Sequence, residues 1–152
     1  MRRRYPKHPL LGVGALIFTR AGRRGPILLV ERGGQPLKGY WSLPGGLVEP
    51  GERLEEAVKR EIREETNLLV VPVRLFEIFE RIMRDEQGRT EYHYVLADYV
   101  CRIVGGQLRA GDDVSRAEWA RRSDLGHYRL TDGTREVIER AFAGPGAGRL
   151  EA

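Results

Sequence analysis

Apolar and polar positions change rhythm several times along the chain. Leu10 to Phe18 is almost wholly apolar and broken only by glycines, which predicts a strand. AGRRGP, residues 21–26, reads as a turn. Ile27 to Glu31 predicts a short apolar strand that ends at Glu31 and Arg32, and GGQPLKG after it a loop. Trp41 to Leu43 predicts another short strand, stopped by Pro44, Gly45 and Gly46. From Glu52 to Thr66 the pattern becomes helical. Two long strands, Val73 to Met83 and Tyr92 to Val104, follow, with DEQG as the turn between them. Val114 to Ala120 predicts a strand and Asp132 to Phe142 a second helix. Several strands are joined as hairpins, so the expected architecture is a mixed sheet sandwiched by helices.

The first helix breaks its own pattern. At about 100° per residue, Leu54, Ala57, Val58 and Ile62 share one arc, which must pack against the sheet. Glu55, Glu56, Lys59 and Arg63 lie opposite. Glu61 and Glu65 fall inside the apolar arc, one turn apart, and Glu64 lies at its edge. Like charges at that spacing repel, and an unpartnered buried carboxylate is costly. A bound cation would resolve the conflict. Oxygen ligands alone favour Mg²⁺ or Mn²⁺ over zinc, and Mg²⁺ takes phosphate oxygens as further ligands. Such a site therefore implies a phosphorylated substrate. The glycines of Leu43-Pro44-Gly45-Gly46 allow close backbone approach, and their carbonyls are hard donors. Glu52 opens the helix where an acid complements its dipole, and Arg60 stands four residues before Glu64, within reach of an orienting ion pair.

Length and composition narrow the setting. The 152 residues fit one domain with a real core. We expect a basic arm at 1–9, a domain at 10–143 and a disordered tail at 144–152. No segment is long enough to span a bilayer, so no membrane partner is expected. Cys101 is the single cysteine, which excludes an internal disulfide and argues for a reducing cytoplasm. The net charge of +4 owes much to Arg2, Arg3, Arg4 and Lys7. It reads as a solvated surface or as a field that draws in phosphorylated substrates. No nucleic-acid motif accompanies it, which argues against a nucleic-acid partner.

Gly46, Glu52, Arg60-Glu61, Ile62, Glu64-Glu65 and Leu68 together resemble the signature of the Nudix hydrolases. Six fixed positions match. At about one chance in fifteen for each, the joint odds are on the order of 10⁻⁷ per starting point. Asn67 departs from the family's glycine. It ends the helix, where a left-handed residue is expected and asparagine is the next best choice. Gly39 to Gly46 is similar to the lead-in of many members, and the order of elements fits from Leu10 to Phe142. The resemblance implies the Nudix-type α/β/α sandwich with a mixed β-sheet. It further implies cleavage, by water and a divalent metal, of a nucleoside diphosphate linked to another group X.

By the same resemblance Glu61, Glu64 and Glu65 supply metal ligation and base function, and the Gly46 carbonyl a further ligand. Members differ in which acid takes the proton. A loop acid before the last strand, Asp113 or its neighbour Asp112 in RAGDDVSRAEW, is the other candidate; an ordinary Gly-Asp turn is the plain reading of that stretch. Asp85 and Glu86 are weaker candidates, since DEQG already has a turn role. Arg32 is a candidate phosphate contact. Tyr40, Phe79 and Tyr94 are candidates to stack on a base or line the pocket, while Trp41 reads as core. The whole pattern, including Leu130-Thr131-Asp132-Gly133-Thr134, looks most like compact members described as ADP-ribose pyrophosphatases. A nucleoside triphosphate or oxidised-nucleotide hydrolase is the alternative. A non-catalytic nucleotide sensor is a second one; such proteins usually carry an added DNA-binding domain, for which little chain follows Phe142. The expected partner is a small nucleotide, and similar proteins often pair as homodimers.

Overall fold

The computed structural model describes residues 2–19 and 25–144. The six apolar side chains of Leu10–Ile17 (β1) cannot all face one way, and the fold uses both faces. Val13, Ala15 and Ile17 join one core with Leu28, Val58 and Ile62, whereas Leu16 joins a second with Phe76, Val137 and Ile138. The helix Leu54–Thr66 (α1) covers the first face and Thr134–Ala143 (α2) the second. This is the helix–sheet–helix sandwich that a strand buried on both sides requires.

The remaining strands are Ile27–Arg32 (β2), Trp41–Ser42 (β3), Gly45–Leu47 (β4), Leu68–Arg84 (β5), Thr90–Gly106 (β6) and Val114–Ala120 (β7). They form a four-stranded sheet ordered β4-β1-β6-β5 and a three-stranded sheet ordered β3-β2-β7. β1 runs parallel to β6 and antiparallel to β4, so the larger sheet is mixed. β5 and β6 form one long hairpin with four irregularities in register. These shifts bend the ribbon and change which residues face each helix.

The expected elements are all present, with moved boundaries. β5 begins at Leu68, five residues before the expected Val73, because it starts directly after the α1 cap. That cap is Asn67, with φ 63°, whose N–H bonds the Arg63 carbonyl at 3.0 Å and whose Nδ2 donates to the Gln107 carbonyl at 2.9 Å. α1 starts at Leu54 and not at Glu52, and Leu54 is only partly buried; Ala57, Val58 and Ile62 carry the packing. Gly45 and Gly46, expected to end a strand, themselves form β4 against β1. A 3₁₀ helix, Arg122–His127, was not expected. The turn assigned to 21–26 lies largely outside the described residues, as does the tail beyond 144.

Candidate active site

β4 brings the glycine loop under α1. The Gly45 N–H donates to Glu65 Oε1 at 2.9 Å. A Cβ on Gly45 would stand 2.0 Å from the Val13 carbonyl, so no other residue fits this approach of β4 to β1. A Cβ on Gly46 would stand 2.4 Å from Glu61 Oε2. The two glycines are thus the floor on which the two carboxylates rest. This is why Glu61 and Glu65 can occupy the apolar arc: they face glycine backbone at the mouth of a cleft and not the core behind it.

The cleft has a volume of about 430 Å³. Glu61, Glu65, Gly45 and Gly46 line one wall, joined by Arg32 and Asp113. Phe79, Tyr94, Arg81, Asp98, Gly133 and Thr134 line the rest, and Arg3 of the N-terminal arm reaches its rim. Seven expected site residues therefore meet in one cavity: Arg32, Gly46, Glu61, Glu65, Phe79, Tyr94 and Asp113. Arg60, Glu64 and Tyr40 do not line it, nor do the weaker candidates Asp85, Glu86 and Asp112. Glu64 is exposed and turned toward Arg60. Tyr40 stacks under Arg129 at 4.1 Å and accepts a hydrogen bond from it. Asp85 caps its own turn, accepting from the backbone of Gln87 and Arg89.

Arg60 is a hub. Its guanidinium donates to both Glu52 oxygens at 2.7 and 3.0 Å, to Glu61 at 2.9 Å, to Glu64 at 3.1 Å and to the Leu47 carbonyl at 3.0 Å. Glu52 therefore does more than complement a helix dipole. Its hydrogen bonds with Arg60, and then with the Glu49 N–H, hold it down at about 2. The conjunction of Glu52, Arg60 and Glu61 in the signature is one clamp that fixes the Glu61 carboxylate and ties α1 to β4.

The carboxylates are electrostatically poised for a cation. Burial pushes Glu65 up to about 8; the Gly45 N–H and Arg32 oppose the rise, while Glu61 and Asp113 add to it. Burial likewise raises Glu61, against the pull of Arg60. Among the described residues no three acidic, histidine or cysteine side chains converge into a closed metal cage. Glu64, drawn off by Arg60, is the reason the expected trio does not meet. The arrangement still fits Mg²⁺, which retains waters and needs only one or two carboxylates beside substrate phosphate oxygens. Two half-buried acids, both raised by burial and Glu65 further raised by its neighbour Glu61, form such a donor set beside glycine carbonyls.

Arg3, Arg81 and Asp98 were not anticipated. Asp98 could have been: in VLADYV an acid interrupts an apolar strand, the same conflict that exposed Glu61 and Glu65. Arg3 and Arg81 gave no such signal, because an arginine on an arm or a hairpin strand is ordinary surface.

A mixed α/β sandwich whose acid-bearing helix meets a glycine loop at a cleft defines a class of phosphate-handling domains. The chain belongs to the NUDIX domain family: the family's model matches residues 8–141. It is 39% identical over 112 residues to the ADP-ribose pyrophosphatase of Methanocaldococcus jannaschii, covering 74% of this chain and 62% of that protein. It is 34% identical over 105 residues to the nucleoside triphosphatase NudI of Escherichia coli, covering 66% of this chain and 74% of that one. The structure superposes on the NUDIX domain of Shewanella oneidensis NrtR, solved with ADP ribose, with a TM-score of 0.70 and 28% identity, over 90% of this chain and 88% of that domain. The chain thus spans less than two thirds of the archaeal relative's length.

Proposed function

We propose that this protein is a Mg²⁺- or Mn²⁺-dependent pyrophosphohydrolase that cleaves a nucleoside diphosphate linked to another group, with ADP-ribose or a similar nucleotide sugar as substrate. The observation that carries the reading is the placement of Glu61 and Glu65, half-buried against Gly45 and Gly46 and facing one cleft. Glu61, Glu65 and the Gly46 carbonyl would hold the metal, with Glu64 free to swing in from Arg60. The metal would neutralise phosphate charge and lower the pKa of a bound water. Arg32, on the same wall, contacts the phosphates. Asp113 and Glu65 are placed to accept the proton of the attacking water. Water adds to one phosphorus, the P–O–P bond breaks, and a nucleoside monophosphate and the phosphate of X leave. Arg60 acts through Glu61 and positions it.

The likeness to the archaeal ADP-ribose pyrophosphatase supports a nucleotide sugar, and the likeness to NudI supports a nucleoside triphosphate as the second reading. A panel of both substrate classes with Mg²⁺ and with Mn²⁺, products resolved by chromatography, decides between them. Binding of ADP-ribose without turnover of any member would leave a sensor instead. Two expectations accompany the reading. A reducing cytoplasm is the expected compartment, and the single Cys101, buried and with its thiol pushed up to about 12, is an inert packing group. Among the described residues no helix is long and apolar enough to cross a membrane. Val73, Ile78 and Ile82 of β5 and Val104 of β6 are about half exposed, which supports pairing into a homodimer through this ribbon; sedimentation would test it.

A further inference from the structure

Asp98 is the one acidic or basic side chain that is fully buried among the described residues, at 4% exposure. Burial pushes it up to about 7; Glu77 adds to the rise, and Arg81 and Arg140 oppose it. Among the described residues none donates a hydrogen bond to its carboxyl or forms an ion pair with it. The two nearby cations are engaged elsewhere. Arg140 makes a two-pronged pair with Glu77 at 2.9 and 2.7 Å. Arg81 donates to Thr131 Oγ1 at 3.2 Å and to the Asp132 carbonyl at 3.1 Å, while its Nε is buried without a partner. Asp98 and Arg81 both line the cleft.

The fold makes room for this acid. Gly14 is its register partner on β1, and a Cβ there would stand 2.4 Å from Asp98 Oδ1. Gly14 also pairs with Gly45 on its other side, so Asp98, Gly14 and Gly45 lie in one row across the sheet. Two strand spacings put Asp98 roughly 10 Å from Gly45.

Buried polar groups in native proteins are nearly always satisfied, and an unsatisfied one requires an explanation. Here an unpartnered acid and an incompletely partnered cation face the same cavity. A phosphate cannot donate to Asp98 and would meet its charge. A neutral group with both a donor and an acceptor satisfies both residues. We propose that Asp98 and Arg81 form a specificity subsite in which such a group of the substrate, a sugar hydroxyl or a nucleobase edge, donates to the Asp98 carboxyl and accepts from the Arg81 guanidinium. This rests on the proposed function only in taking a nucleotide as substrate.

The test is a cycle of protein and substrate changes read as kcat/KM. The parent and Asp98→Ala are assayed with ADP-ribose, with analogues lacking one ribose hydroxyl at a time, and with IDP-ribose, which changes the base edge. If a hydroxyl binds Asp98, its removal costs the parent about 10-fold and costs Asp98→Ala little. If the base edge binds there, IDP-ribose shows that pattern instead. Asp98→Asn, which keeps an acceptor, restores part of the loss. If every substrate change costs parent and variant equally, Asp98 has only a structural role and the subsite is overturned. Should the parent cleave triphosphates and not ADP-ribose, the substrate reading fails separately, and the same cycle is run with ATP, deoxy-ATP and ITP. Melting curves of both variants establish that they fold; an Asp98→Ala that does not fold is replaced by Arg81→Lys, for which the same loss of coupling is expected and equal costs again overturn the proposal.

Discussion

The Gly45 N–H donates to Glu65 Oε1 at 2.9 Å, and this bond joins the glycine strand to the acid-bearing helix. It supplies only part of what a buried carboxylate needs. Burial still pushes Glu65 up to about 8, above the ordinary range of a glutamate. A group raised in the folded state favours folding while it is protonated and opposes it once ionised. Without metal, this group's contribution to stability should therefore fall as pH rises from about 4.5 to about 8.

Replacing Glu65 by Gln removes the charge and keeps the size. In chelator at pH 8 the variant should melt no lower than the parent. Millimolar Mg²⁺ should raise the melting temperature of the parent more than that of the variant, since a native-state ligand stabilises by mass action. Turnover should fall by roughly 10² or more. Equal stabilisation of both by Mg²⁺, or an active variant, would remove the metal role.

Gly46→Ala tests the floor. The new methyl would stand 2.4 Å from the Glu61 carboxylate, so the glutamate must leave its place. Turnover should drop by at least about 10²-fold, as for a displaced charge-stabilising group. Because a side chain at the cleft can yield, circular dichroism should remain that of the parent. Wild-type turnover would show that Glu61 need not sit on Gly46.

Arg60→Lys keeps the charge and loses the fork. A lysine cannot reach Glu52, Glu61 and the Leu47 carbonyl together. Both kcat and the melting temperature should fall, with KM little changed, because Arg60 touches no substrate in this reading. A change confined to KM would instead make Arg60 a substrate contact.

Asp113→Asn separates a catalytic acid from a turn residue. The Asp113 carbonyl already accepts from the Gly33 N–H at 2.8 Å, a bond that the substitution keeps. If the carboxylate serves as base or as a further metal ligand, kcat should fall with little change in binding. An unchanged kcat would return Asp113 to the loop and leave the base role with Glu65.

Much of this site was legible because its residues violate local rules. Glu61 and Glu65 break a helical arc, and Gly45 and Gly46 break a strand, so each conflict marks a place where something besides packing decides. Arg60 was legible only in part: its spacing to Glu64 was visible, but its grip on Glu52 and the Leu47 carbonyl depends on how α1 crosses β4. Glu64 shows the reverse error. Adjacency in sequence suggested three converging acids, and the hub arginine draws one away. The first five residues of β5, Leu68 to Pro72, were hidden because they follow the helix directly and end in a proline, and only pairing with β6 makes them strand. Arg3 and Arg81 could not be found, since long-range pairing places them and no local pattern is broken.

The N-terminal arm is built to hold Arg3 at the cleft. The Tyr5 N–H donates to the Glu91 carbonyl at 2.7 Å, its hydroxyl donates to Asp85 at 2.8 Å, and Arg4 pairs with Glu91 at 2.7 Å. Tyr5 adopts φ 53°, a left-handed conformation unfavourable for tyrosine, so these bonds hold the chain against a local cost. The result is an exposed cation at the rim of a cavity proposed to take phosphates. Arg3→Ala should raise KM about 3- to 10-fold and leave kcat nearly unchanged, as removal of uniform binding does. The difference from the parent should shrink as salt rises and screens the exposed charge. Tyr5→Phe, which loses the bond to Asp85 but keeps the two bonds to Glu91, should give a smaller shift in the same direction. Arg2→Ala, a neighbour that does not line the cleft, should behave as the parent. If Arg2→Ala and Arg3→Ala raised KM alike, the arm would act only through its overall charge, and its placement by Tyr5 would have no part in binding.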